Sequence, residues 1–185
     1  RNRIVHFIYQ IPLTVPHLVV AVGLLMVMSQ SGLLSRILYA FGVISQQSEF
    51  PVLVRDNWGV GIIIAYMWKQ IPFIGLIALS VLQSVAVDYE QAARSLGANR
   101  LQRFRHVILP LVMPGLIPAS IIIFAFAFGS FEVPLLLGKS FPSMLSVLAY
   151  RLYVDVDLAA RPQAMATSMF IAVFVLALVV LYRKI

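Results

Sequence analysis

Long uncharged stretches dominate this sequence and leave few folds open to it. An α-helix rises 1.5 Å per residue, so about 20 consecutive apolar residues cross the hydrocarbon core of a bilayer. Between Arg3 and Arg36 no Asp, Glu, Lys or Arg occurs, and the apolar part, 7–28, meets that length. Trp58 to Ser84 is interrupted by Lys69 alone, and Arg105 to Glu132 is uncharged between its ends. A last run from Ala164 ends at Tyr182, before the headgroup-suited pair Arg183-Lys184. With 61% of 185 residues hydrophobic and 11% charged, against roughly a quarter charged in a soluble domain, the chain has too little polar surface to cover itself in water. The expectation is an all-α membrane protein, one domain over 1–185, whose transmembrane bundle has spans near 7–28, 59–84, 107–131 and 164–182. Pro12, Pro16, Pro72, Pro110, Pro114 and Pro118 lie within or beside these spans and predict kinked helices.

The Lys and Arg residues choose between the two ways of threading such a chain. With the amino terminus in the cytoplasm, that side receives Arg1, Arg3, Arg94, Arg100, Arg103, Arg105, Arg183 and Lys184 against Asp88 and Glu90. The far side receives Arg36, Arg55, Lys139, Arg151 and Arg161, cancelled by Glu49, Asp56, Glu132, Asp155 and Asp157. The first threading is therefore expected, with a cytoplasmic loop at 88–106 and outer segments at 29–58 and 132–163. The net charge of +7 is spread over both membrane faces with no basic stripe among aromatics, so nucleic acid is not an expected partner. The start at Arg1-Asn2-Arg3 has the basic flank of a secretory signal, but Pro12 and Pro16 inside the run and the lack of a small-residue cleavage site argue against one. The chain reads as a piece whose earlier helices are missing.

The loop is the most polar part of the chain and carries helix start and stop signals. Asp88 with Gln91 three residues on forms a capping-box pattern, and Glu90 suits the first-turn dipole. Gly97 sits where a left-handed C-terminal residue is cheapest for glycine. Beyond it, Leu101, Phe104, Val107 and Ile108 fall at helical spacing, with Arg100, Arg103 and Arg105 on other faces. A helix of about two turns is marginal alone in water, so it needs a surface to dock on. Ala92 and Ala93 would let a partner approach closely, with Glu90, Gln91 and Arg94 as polar contacts around them.

The run Gln91-Ala92-Ala93, Gly97, then Val107-Ile108-Leu109-Pro110 resembles the EAA loop of permeases from type I ABC importers, in which Glu-Ala-Ala, a glycine and Ile-x-Leu-Pro recur at this spacing. Gln91 stands where the family has glutamate, and Val107 where it has isoleucine. Phe131-Glu132-Val133-Pro134-Leu135-Leu136-Leu137-Gly138 and Arg161-Pro162-Gln163-Ala164-Met165-Ala166 are similar to the branch importing polyamines, ferric iron, thiamine or aminoethylphosphonate. The resemblance implies a multi-pass permease of the bacterial inner membrane corresponding to the last four of six helices. It implies that Glu90, Gln91, Ala92, Ala93, Arg94, Gly97, Leu109 and Pro110 couple to a dimer of cytoplasmic ATP-binding subunits. A second permease subunit, identical or homologous, and an extracytoplasmic substrate-binding protein are the other implied partners, and no cofactor is implied.

Several residues keep two readings. Lys69, an ionisable group inside a span, either lines a substrate route or is a structural lysine satisfied by carbonyls. Glu132 either faces the same route or contacts water. Gly138-Lys139-Ser140 imitates the end of a phosphate-binding loop, but the glycine required five residues earlier is Val133, so ATP hydrolysis is expected on another polypeptide. No catalytic cluster is expected. His6, His17 and His106 are scattered and Cys is absent, so no metal site is expected. The alternative function is a secondary transporter or channel without an ATPase; the lack of carboxylates within the spans counts against a proton-driven carrier.

Overall fold

The apolar runs fold as helices in the computed structural model, which describes residues 3–83 and 87–182, and no strand occurs among them. The helices are α1 Arg3–Thr14, α2 His17–Met28, α3 Leu33–Ala40, α4 Val60–Val81, α5 Val87–Ser95, α6 Arg100–Arg103, α7 Leu109–Gly129, α8 Glu132–Leu137, α9 Leu145–Tyr153 and α10 Arg161–Tyr182. A π-helical turn, Phe104–Ile108, joins α6 to α7. Four helical segments are long and apolar enough to cross a membrane: His17–Ala40, Val60–Val81, Arg100–Gly129 and Leu158–Tyr182. The chain is thus all-α with the makeup of a membrane bundle. In the last segment only 6% of the apolar window is buried, and Met169, Phe170 and Leu176 are exposed. Such a surface is stable against lipid and not against water.

The first and last candidate spans, His17–Ala40 and Leu158–Tyr182, differ in bounds from the expected 7–28 and 164–182. The run 7–28 is not one helix: it breaks at Val15-Pro16, where Pro16 takes φ −57, ψ 145 ahead of α2. Pro16 has no N–H for the carbonyl of Pro12 and its ring would collide with that carbonyl, while Val15 is pushed out of the helical region by the proline after it. Pro72 in α4 and Pro114 and Pro118 in α7, by contrast, lie inside continuous helices. The third helical segment starts at Arg100, where the amphipathic stretch expected to feed into the third span joins α7 without a break.

The chain divides into two compact units, one of residues through Leu13 with Lys69–Phe124, the other of Thr14–Trp68 with Ala125 onward. In the first, Tyr9 of α1 crosses α4 at Gly75: its hydroxyl donates to the Ile71 carbonyl at 3.1 Å, and a Cβ on Gly75 would collide with that hydroxyl. Gly115 likewise brings α7 against Ile77 and Val81. Small residues substitute here for the hydrophobic effect, which does not drive helices together in lipid.

The second unit has its core where α2, α4 and α8 meet, around Val20, Ala21, Met28, Ile62, Ala65, Val133 and Leu137. Asp56 starts α4 by accepting the N–H groups of Trp58 and Val60 at 2.8 and 2.9 Å. Ser146 of α9 donates to the Ser130 carbonyl at 3.0 Å, tying α9 to the end of α7, and α9 in turn packs along α10.

Candidate functional site

The loop at 88–106 folds as helix, turn and helix within the first unit. α5 carries Glu90, Gln91, Ala92, Ala93 and Arg94. It ends at Gly97, whose φ is +81; the Gly97 N–H donates to Arg94 O and the Ala98 N–H to Ala93 O, both at 3.0 Å. These two bonds make a Schellman arrangement that satisfies carbonyls the helix end leaves open. No atom lies within 4 Å of the position a Cβ on Gly97 would take, so the backbone conformation, not space, calls for glycine.

The capping box forms further along the chain than expected. Asp88 lies inside α5, which runs from Val87, so its backbone is helical and it is not the N-cap. Asn99 fills that role for α6: its Oδ1 accepts the Gln102 N–H, and Gln102 Oε1 accepts the Asn99 N–H, each at 2.9 Å. Asn-x-x-Gln two residues after a glycine is a legible signal for this cap, competing in the sequence with the Asp88 pattern. Glu90 lies 3.8 Å from Arg103 Nε, linking α5 to α6 by a partly exposed pair worth on the order of 1 kcal/mol or less.

Leu109 and Pro110 open α7 directly after the π turn, where the Leu109 N–H donates to Phe104 O, five residues back. A wider turn is a physical answer to Pro110, whose ring disturbs the ordinary four-residue ladder. The motif residues therefore fall on one continuous path, α5, turn, α6, α7. Gln91, Ala92, Arg94 and Ser95 are exposed, and Ala93 is half-buried. Leu96 is 88% and Leu101 72% exposed, an apolar surface on an otherwise polar loop.

Lys69 and Glu132 fall in different units. The Lys69 side chain is buried in α4, and Glu132 is exposed in the first turn of α8. Within the second unit the structure groups residues that the sequence does not: the His17 ring of α2 lies 4.8 Å from the Phe126 ring and 6.2 Å from the Tyr66 ring, centroid to centroid. The Tyr66 hydroxyl is buried. Three separate spans supply this cluster, and no local pattern announces it.

Comparison with known proteins bears on the loop and the helices together. The model of the family described as "Binding-protein-dependent transport system inner membrane component" matches residues 1–184. The spermidine/putrescine transport system permease protein PotB of Haemophilus influenzae is 33% identical over 132 residues, 71% of this chain and 44% of the relative. The sulfate transport system permease protein CysT of Salmonella typhimurium is 31% identical over 65% of this chain and 43% of the relative. The molybdenum transport system permease protein ModB of Escherichia coli is 28% identical over 79% of this chain and 60% of the relative. The chain thus spans about half the length of these relatives. Its helices, its loop and the family match lead to one conclusion: the chain belongs to the binding-protein-dependent transport system inner membrane components, the permeases of type I ABC importers.

Proposed function

We propose that this chain forms part of the translocation pathway of an ATP-driven importer in the bacterial inner membrane and receives its driving force through the loop at 88–106. The observation that carries the reading is the path from α5 through the glycine turn and α6 into α7, with Gln91, Ala92 and Leu96 turned to solvent. α5 seats on a dimer of separate cytoplasmic ATP-binding subunits. Ala92 and Ala93 allow close approach, while Gln91 and Arg94, with Glu90 at the edge, make polar contacts. ATP-driven closure of that dimer displaces α5, and the Gly97 and Asn99 caps, with Leu109-Pro110 at the head of α7, pass the displacement into the membrane.

The amino terminus and the loop lie in the cytoplasm, the segments 29–58 and 132–163 on the outer face, and a second permease subunit completes the pathway. A small solute arrives on an extracytoplasmic binding protein. The relatives' named cargoes include sulfate, polyamines and molybdenum, which leave the branch open on sequence similarity alone. Lys69, an ionisable group in an otherwise apolar span, and Glu132, at the outer boundary, line the route. The test is purification of the full-length permease with its neighbouring subunits, followed by an ATPase assay with loaded binding protein. Co-purification of an ATPase stimulated by the loaded binding protein is expected; solute movement without any bound ATPase would favour a secondary transporter or channel.

A further inference from the structure

Within the second unit, a groove of about 1040 Å³ runs along α10, bounded by α9 and the end of α7. Gly129 of α7 and Ala164, Ser168 and Ala172 of α10 line it; the three on α10 stand four residues apart, on one face of the helix, and their small side chains leave the space open. The two ends differ in kind. At one end are Tyr150, stacked on Phe131 with ring centroids 4.4 Å apart, and Tyr153, with the Arg161 guanidinium 6.0 Å from the centre of its ring. At the other end the lining is Leu176 and Val179. From Ala164 to Val179 the groove follows α10 for about 22 Å. That is longer than one leaflet's half of a hydrocarbon core about 30 Å thick.

An occupant has to match both ends. Tyrosine rings settle at headgroup level, which puts Arg161 among phosphates and Leu176 and Val179 in hydrocarbon. The carboxylates nearest to Arg161 in sequence, Asp155 and Asp157, accept the N–H groups of Asp157 and Ala159 at 2.9 Å, and Arg161 forms no ion pair among the described residues. Its planar fork of donors fits two oxygens of a phosphate. Deeper in the groove nothing polar is asked of a ligand: the Ser146 hydroxyl donates to the Ser130 carbonyl at 3.0 Å and the Ser168 hydroxyl to the Ala164 carbonyl at 2.9 Å. Met165 and Met169, 60% and 68% exposed, line the open side, and methionine adapts to a flexible chain. A transmembrane helix seated in the groove would fill the apolar part and bring no anion to Arg161.

We propose that this groove is a phospholipid site, with the phosphate on Arg161 at the tyrosine end and one acyl chain lying along α10 from Ala164 to Val179. On the orientation proposed above, the lipid belongs to the outer leaflet. The site stands apart from the loop at 88–106 and does not depend on which solute the permease carries.

The test is native mass spectrometry of the full-length permease, delipidated in detergent and then titrated with palmitoyl-oleoyl phosphatidylglycerol. A parallel sample is irradiated with the same lipid carrying a diazirine on its acyl chain. One tightly held lipid per permease chain is expected, with the photo-crosslink falling on 164–179. Arg161→Gln should weaken binding about fivefold, the worth of an exposed charge pair, and Arg161→Lys should restore most of it. Glycerol phosphate, which has the charge and lacks the chains, should not displace the lipid. Absence of a bound lipid on the parental protein, crosslinks on other helices only, binding indifferent to Arg161→Gln, or displacement by glycerol phosphate overturns the proposal. So does crosslinking of Ser168→Cys to another transmembrane helix in the assembled complex, which would make the groove a seat for protein.

Discussion

Gly97 shows how one residue can set the course of a loop. Its φ of +81 costs an L-residue with a side chain on the order of 1 kcal/mol or more, and a β-branched residue more than asparagine, which tolerates that region. Because a side chain there meets no neighbouring atom, Gly97→Asn should keep the turn and Gly97→Val should lose it. Protease nicking at 95–99 of the purified permease is the readout: Val should raise it clearly above parental and Asn should not. Equal resistance in the Val variant would mean that the turn does not depend on this conformation. Gly75 is constrained for the opposite reason, since Tyr9 occupies the space its side chain would need. Gly75→Val should lower the thermal unfolding midpoint of the detergent-solubilised permease, by about 1–3 kcal/mol of overpacking, and Tyr9→Phe combined with it should recover part of the loss. The role of Gly97 is legible in the sequence because a glycine directly after a polar helical run marks a left-handed helix end. That of Gly75 is not, because its reason is a tyrosine on another helix.

The elements obey the same local chemistry, and the sequence reveals it unevenly. The Asn99–Gln102 capping box satisfies two N–H groups at the start of α6, and such a cap is worth about 1 kcal/mol. Asn99→Ala should therefore speed amide hydrogen exchange over 100–104 by roughly fivefold while leaving α10 unchanged; unchanged exchange at 100–104 would mean that the cap adds nothing to α6. Apolar runs announce the long helices because almost no charge interrupts them, Lys69 in α4 being the exception. The break at Pro16 is harder to read because its cause is a proline pair, with Pro12 supplying the carbonyl that Pro16 cannot meet. The π turn at Phe104–Ile108 leaves no trace in hydrophobic periodicity over so few residues. Asp88 resembles an N-cap in sequence, but a residue caps only if its own backbone is non-helical, a property of the preceding chain. The ring cluster of His17, Tyr66 and Phe126 is a matter of which helices meet, beyond the reach of local pattern.

For the whole molecule, the asymmetry of basic residues favours the proposed orientation, which puts the loop on the side of the proposed ATP-binding subunits. In a cysteine-free chain, single cysteines at Asn99 and Ser140, both exposed, should react with a membrane-impermeant maleimide from opposite sides; labelling of the Asn99 position from outside intact cells would reverse the topology. Given that orientation, the proposed coupling rests on the loop at 88–106. Gly97→Val misdirects α5, whereas Ala93→Trp leaves the bend intact and blocks the close approach. Neither change touches the lipid-facing helices, so insertion should be normal. The deciding measurement is substrate transport together with ATPase co-purification for these two variants in the assembled complex. Both should insert, and both should lose transport by at least about tenfold, equivalent to some 1.4 kcal/mol of lost coupling, with less ATPase retained. Transport at the parental rate with full ATPase retention in both would contradict the claim that this loop couples ATP hydrolysis to the membrane.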